Sequence, residues 1–233
     1  MYPRVLRANL VKLPPYYART PELEAWGFLT SREERDSFYA LLRRRIIAQF
    51  RKEMSVSIGD ALRRAARELD QGGVAEARRE ASSLLSHVVG KDRTFLISHA
   101  EDALGADELE RFENAVARRS AGEPAQYITG TQDFYGRAFR VTPDVLIPRP
   151  ETELLVEAAL QVMSDGAVVC DVGTGSGCIA ITLLCDRSDA RAVAVDVSEA
   201  ALEVARQNAQ ELLVQDRVSF RLSDCFGALR RGE

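Results

Sequence analysis

Residues 167–177 read Ala167-Val168-Val169-Cys170-Asp171-Val172-Gly173-Thr174-Gly175-Ser176-Gly177, and this stretch decides the fold. Its apolar start, Ala167 to Asp171, predicts a buried strand. The glycines that follow allow a tight turn and a close approach of the backbone to a ligand. A helix is expected from Cys178 to about Leu184. Ala192 to Asp196 reads as a second strand. Ser198 then caps a helix with Ala201, Val204, Ala205 and Leu212 facing inward. Val218 to Leu222 reads as a third strand. Strands alternating with helices imply a parallel, doubly wound sheet. Three strands make only half of such a sheet, in the spatial order 3-2-1. The strand before Asp171 is then an open edge, with backbone groups free to pair.

Upstream, the texture changes twice. Ile58, Leu62, Ala65 and Leu69 recur at the spacing of one helix face, and Gly72-Gly73 ends that helix. Ala77, Ala81, Leu84, Leu85 and Val88 form a second stripe, stopped by Gly90. Arg93 to His99 and Asp107 to Arg119 read as two further helices, the latter with Leu109, Phe112 and Val116 inside. Residues 54–122 thus form a small helical bundle. Residues 123–150 read as a β-hairpin linker. Gln126 to Gly130 and Phe134 to Val141 are rich in aromatic and β-branched residues with glycine punctuation. Residues 151–233 begin with Thr152 capping a helix whose buried face is Leu155, Ala158, Ala159 and Val162, and continue into the alternating region.

Residues 1–53 are an additional segment of unassigned role. They carry 11 Lys and Arg against 6 Asp and Glu, a balance of +5, whereas the rest of the chain balances at −9. Such a shift marks a segment boundary. Met54 is either the natural start or an internal residue. Arg43-Arg44-Arg45 is either a contact patch or, more commonly for such runs, a solvated helix face. The acidic remainder argues against a broad nucleic-acid surface, which needs clustered Lys and Arg.

The chain has 233 residues, of which 46% are hydrophobic and 28% charged, values of an ordinary globular protein. No stretch approaches the length of a membrane span, and no secretory signal precedes the first helix. The four cysteines form no Cys-x-x-Cys pair and read as buried, reduced thiols. A cytoplasmic location is the expectation. His87 and His99 lie in the bundle without a second ligand at metal-binding spacing.

The glycine turn sits between a strand and a helix, and Asp196 ends the next strand 23 residues beyond Gly173. A carboxylate there can accept hydrogen bonds from both ribose hydroxyls of a nucleoside. The dinucleotide fingerprint wants Gly or Ala at position 178, where this chain has Cys178. The third glycine falls at Gly177 instead. Asp-x-Gly-x-Gly-x-Gly resembles motif I of S-adenosylmethionine-dependent methyltransferases, and Asp224 is placed like the acid bordering adenine in those proteins. Another nucleotide fold and a purely structural turn are the competing readings.

Three further stretches precede that motif: Pro124-Ala125-Gln126-Tyr127-Ile128-Thr129-Gly130, Phe134-Tyr135-Gly136 with Phe139, and Leu146-Ile147-Pro148-Arg149-Pro150-Glu151-Thr152-Glu153. In order and spacing, residues 54–233 resemble the release-factor glutamine methyltransferases, the HemK/PrmC family. The resemblance implies an N-terminal helical bundle that binds release factor, a hairpin linker, and a Rossmann-like methyltransferase sheet, here incomplete. It implies S-adenosylmethionine as cofactor, held by Gly173, Thr174, Gly175, Ser176 and Gly177 near the methionine and ribose. Asp196 would lie on the ribose, and Asp224 with Cys225 beside the adenine. Cys225 departs from the larger apolar residue common in the family, and a small buried thiol is the competing reading. Arg149 and Glu151 either brace the linker over the cofactor pocket or form a surface ion pair. Asn208 is expected to be exposed.

The implied reaction methylates the side-chain amide of the glutamine in the Gly-Gly-Gln motif of peptide chain release factors. The family positions that amide with an Asn-Pro-Pro-Tyr motif after the third strand. None of the eight prolines of this chain follows Pro150, so the motif is absent, and no catalytic residue is assigned. Leu13-Pro14-Pro15-Tyr16 lacks the Asn and lies far upstream. The literal chain is accordingly expected to be inactive. A ribosomal-protein glutamine, a nucleic-acid amine, or non-catalytic binding of release factor remain as alternatives. The implied partner is release factor, with neither membrane nor direct nucleic-acid contact.

Overall fold

The structure, a computed structural model, describes residues 56–227. The readings made on residues 1–55 lie outside them. Four helices come first: α1 (Ile58–Gln71), α2 (Ala77–Val89), α3 (Arg93–Ser98) and α4 (Ala106–Ser120). Ser57 starts α1 by accepting a hydrogen bond from the Asp60 amide at 3.1 Å. Asp92 does the same for α3 through the Phe95 amide at 2.8 Å. Gly90 ends α2 in the left-handed conformation. The stripes meet in one core of Ile58, Ala61, Ala65, Leu69, Leu84, Leu85, Leu96, Phe112 and Val116. Ala61, not Leu62, lies on the buried side of α1, and Leu62 packs at its margin. Each fully buried large side chain contributes about 1.5–3 kcal/mol. Arg119 of α4 pairs with Glu80 of α2 at 2.8 Å across the core edge.

The linker differs from the sequence expectation in its first half. Ala125–Thr129 is a short helix, α5, and only Thr131–Phe134 (β1) and Arg137–Arg140 (β2) form the antiparallel hairpin. Pro124 supplies no backbone donor to a ladder and opens a helical turn instead. Gly130 then closes the turn with φ 74°. Packing selects this shape: Ile128 leans on the helical core, while Tyr127 caps a small cluster of Val141, Val145, Ala201 and Val204. The Tyr127 hydroxyl donates to the Val145 carbonyl at 2.8 Å.

The next helix, α6 (Glu153–Val162), follows a single tight turn at Pro150–Thr152. Thr152 does not cap it; its backbone is already helical and its hydroxyl makes no cap bond. The predicted inward face is also rotated. Val156 is fully buried, with Ala159, Leu160 and Met163 beside it, whereas Leu155 and Val162 are 55% and 83% exposed. The apolar stripe that packs on the core is Val156, Ala159, Leu160 and Met163, at i, i+3, i+4 and i+7, and Glu153 on the same side meets the hairpin.

The sheet has three parallel strands: β3 (Val168–Val172), β4 (Arg191–Asp196) and β5 (Val218–Leu222), in the order β3-β4-β5. Helices α7 (Cys178–Asp186) and α8 (Glu199–Glu211) connect them. Val169 pairs with Ala192, and Ala192 with Val218. The central strand β4 is buried from Ala192 to Val195. Strand β3 is not the buried strand expected from its apolar run. Only Asp171 is buried, and Val168 is 61% exposed. β3 has a neighbour on one side only, and Val168, Cys170 and Val172 share its open face. The cysteines follow suit: all are free, Cys178 is buried, Cys185 is half-buried, and Cys170 and Cys225 are exposed. No helix among the described residues is long and apolar enough to cross a membrane.

Candidate functional site

The C-terminal ends of the three strands converge, as they do wherever an open parallel sheet offers a binding crevice. After β3 the chain folds over the end of β4. The amides of Gly173 and Thr174 both donate to the Val195 carbonyl, at 2.8 and 3.0 Å. Gly175 turns its amide onto Asp196 Oδ2 at 2.9 Å, and the Ser198 amide donates to Asp196 Oδ1 at 3.0 Å. The Asp196 carboxylate is thereby aimed across the turn, not out into solvent.

Asp171 anchors the turn from below. Its Oδ2 accepts from the Thr174 hydroxyl at 2.7 Å and, more weakly, from the Ala180 amide at 3.4 Å at the start of α7. Burial raises the Asp171 carboxyl above its ordinary value, the Thr174 and Ala180 bonds oppose that rise, and the negative charge of Asp196 adds to it. Burial pushes the neighbouring Cys178 thiol up to about 11. It stays protonated at neutral pH and offers no nucleophile.

Position 177 favours glycine on two counts. Its φ is +80°, and a Cβ there would lie 2.6 Å from Ile181 Cδ1 and 3.2 Å from Ala205 Cβ. The outer side of the turn is different. A Cβ at Gly173 or Gly175 would meet nothing within 4 Å, so this face is open. An open glycine face beside a fixed carboxylate suits a nucleoside ligand with hydroxyls to donate.

Asp224 lies just past β5, where the Ser223 amide donates to the Asp196 carbonyl at 2.9 Å. That bond sets the ends of β4 and β5 side by side. Asp224 and Cys225 are both exposed, and Cys225 has φ 49°. The reading of Cys225 as a small buried thiol is therefore incorrect.

Arg149 and Glu151 are exposed, and neither bonds to the other. Glu153, two residues beyond Glu151, instead ties α6 to the hairpin tip by accepting the Tyr135 amide at 2.8 Å. Asn208 is a second residue that sequence reasoning misplaced. It is 1% exposed, and its carboxamide bonds to Arg140 and Ser176. The signal was present: Ala201, Val204, Ala205 and Asn208 fall at i, i+3, i+4 and i+7, so a polar side chain sits on the apolar stripe. His99 stacks on Phe95 with ring centroids 4.0 Å apart and contacts the Phe95 carbonyl, a structural role within the bundle.

A parallel sheet with a glycine turn after one strand and an acid ending the next defines the methyltransferase class of Rossmann-like domain, and a general methyltransferase-domain model matches residues 163–230. Residues 60–130 match the PrmC N-terminal domain. Beyond these two matches, the chain is similar to proteins named release factor glutamine methyltransferase. It is 49% identical over 170 residues to the release factor glutamine methyltransferase of Cereibacter sphaeroides, covering 73% of this chain and 60% of that protein. It is 45% identical over 179 residues to that of Koribacter versatilis, covering 76% of this chain and 63% of that protein. Among solved structures, an RNA methyltransferase from Salinibacter ruber in complex with S-adenosyl-L-homocysteine is 35% identical, with a TM-score of 0.32, over 36% of this chain and 53% of that one. The chain thus spans about 60% of the length of the curated relatives it matches.

Proposed function

We propose that this chain carries the cofactor-binding and release-factor-docking parts of an S-adenosylmethionine-dependent methyltransferase that acts on the side-chain amide of the glutamine in the Gly-Gly-Gln motif of peptide chain release factors. The observation that carries the reading is the glycine turn held over the end of β4 with Asp196 fixed beside it. Gly173, Thr174, Gly175, Ser176 and Gly177 would hold the methionine and ribose portions. Asp196 would accept the ribose hydroxyls, its oxygens retaining lone pairs beyond the two amides they already accept. Asp224 and Cys225 would border the adenine. The bound cofactor supplies an electrophilic methyl group.

Residues 54–122 would dock the release factor, residues 123–150 would link docking to the cofactor crevice, and residues 151–233 would form the cofactor half of the catalytic domain. A groove beside α1 and α2 offers a surface for that docking, where Arg63, Arg67, Arg78, Arg79 and Arg93 stand with Asp70 and Glu76 over Leu62 and Ala66. An amide nitrogen is a poor nucleophile, so its alignment dominates the rate. The Asn-Pro-Pro-Tyr residues that would align it are not among these 233. The chain as given should hold cofactor and release factor without transferring the methyl group.

Calorimetric titration with S-adenosylhomocysteine tests the cofactor reading. Binding is expected in the wild type and at least tenfold weakening in Asp196→Ala, since a charged hydrogen-bond acceptor is lost. No wild-type binding would overturn it. Affinity capture with purified release factor tests the partner: retention of release factor but not of ribosomal protein is expected. Methyl mass appearing on the Gly-Gly-Gln peptide after incubation with this chain would show that the alignment is done by other residues.

A further inference from the structure

Asn208 lies mid-helix on α8, yet its amide ignores its own helix. Oδ1 accepts the Arg140 amide at 2.7 Å, and Nδ2 donates to the Arg140 carbonyl at 3.0 Å and to the Ser176 carbonyl at 2.8 Å. One acceptor atom and both amide hydrogens are thus used, each on main chain. The two contacts on Arg140 imitate a strand partner for the end of β2. The third reaches the glycine turn. The same peptide unit of the turn is held from its other side, because the Gly177 amide donates to the Thr174 carbonyl at 2.8 Å. The orientation of the Ser176–Gly177 peptide is therefore fixed by Asn208 on one side and Thr174 on the other.

No other side chain among the described residues bonds both the hairpin and the turn. Neighbouring contacts support its placement without duplicating it. Ala205, one turn earlier on α8, abuts Gly177, and Glu211, one turn later, pairs with Arg140 at 2.7 Å on the half-exposed surface. Ala201 and Val204 pack under Val141 and Val145, which continue the chain from β2. Helix α8 thus presents one face to both the linker and the cofactor turn.

Resting on the reading that the turn holds the cofactor, we propose that Asn208 is a positioning residue that locks the hairpin linker to the glycine turn and so sets the turn in its binding shape. Removing the carboxamide leaves a buried carbonyl at Ser176 and the amide of Arg140 without these partners. The Ser176–Gly177 peptide then gains freedom to rotate, and the hairpin loses its register on α8.

The test uses the full 233-residue chain with Asn208→Ala, and Asn208→Ser should the alanine variant fail to fold. Amide hydrogen exchange without ligand comes first. Exchange at Arg140 and Gly177 should speed up at least tenfold in either variant, with β4 amides unchanged. Titration with S-adenosylhomocysteine comes second. The dissociation constant of the folded variant should rise about tenfold, equivalent to ~1.4 kcal/mol. A residue that merely stabilises would lower the melting temperature and leave both readouts unmoved, and that result would overturn the proposal. So would exchange that rises at one of the two amides alone. Should the wild type bind no S-adenosylhomocysteine, the cofactor reading falls, while the exchange data still decide whether the lock exists.

Discussion

The amide of Tyr135 donates to Glu153 Oε1 at 2.8 Å, joining the tip of the hairpin to the first residue of α6. Tyr135 has φ 51° and Gly136 φ 71°, a two-residue turn with both centres in the left-handed region. Glycine takes that conformation freely, but tyrosine pays a strain cost of order 1–3 kcal/mol. The Tyr135 carbonyl accepts from Arg137, which also pairs with Asp186 of α7 at 2.5 Å. The turn is held from two helices. Glu153→Ala should therefore destabilise the fold by about 1 kcal/mol, the lower end of the range for an orphaned amide, since Tyr135 is only half-buried. Glu153→Gln, which keeps an acceptor, should lose less than half of that. Urea unfolding monitored by circular dichroism distinguishes the two.

The glycine turn offers an internally controlled comparison. Gly173→Ala and Gly177→Ala both place an L-residue at positive φ, costing about 1–2 kcal/mol each. Only at Gly177 does the new methyl also strike Ile181 and Ala205. Gly177→Ala should lower the melting temperature by several degrees more than Gly173→Ala, on the scale expected for an extra kilocalorie or so. Equal melting temperatures would mean that α7 and α8 yield readily.

These two sites mark where the sequence was readable and where it was not. The glycine turn, Asp196, the Ser198 cap and the Gly90 stop are local signals, each set by a few neighbouring residues, and all were legible; the Ser57 cap was equally local but was not read. The burial of Asn208 was readable from its place on the apolar stripe of α8, but its partners 32 and 68 residues away were not, nor was the partner of Glu153 18 residues away, because no local period reports such pairing. The face of α6 was misread between two rival apolar stripes: Val156, Ala159, Leu160 and Met163, at i, i+3, i+4 and i+7, pack on the core, whereas the stripe through Leu155 and Val162 faces out. The apolar run of β3 promised burial on both faces. Its position at the sheet edge, already expected from the strand order 3-2-1, overrides that and leaves Val168, Cys170 and Val172 on an open face.

Asp189 gives a pH signature with a definite sign. The Arg187 guanidinium, and then the Gly166 amide at 2.6 Å, hold its carboxyl down to about 2. A depressed acid contributes stability that is present above its unfolded value and is lost as pH falls towards the folded one. Asp189→Asn should thus be less stable than wild type near about pH 6, with the gap narrowing as pH falls through about 3.8 towards 2. Arg187→Gln should shrink the same pH-dependent gap. Urea midpoints of the wild type and both variants across that range check it.

The cysteines separate by burial. Cys170 stands on the open face of β3, and Cys225 lies in the exposed segment after β5. Cys185 is half-buried and raised, first by burial, while Cys178 is buried and pushed up to about 11. Reactivity needs both access and thiolate. In native protein, two thiols should therefore react quickly with a disulfide reagent near about pH 8, Cys185 should follow slowly, and Cys178 should react only on unfolding. Peptide mapping after timed alkylation assigns each rate. Fast labelling of Cys178 in native protein would mean that the glycine turn and the start of α7 open readily, and the closed arrangement around Asp171 would then have to be abandoned.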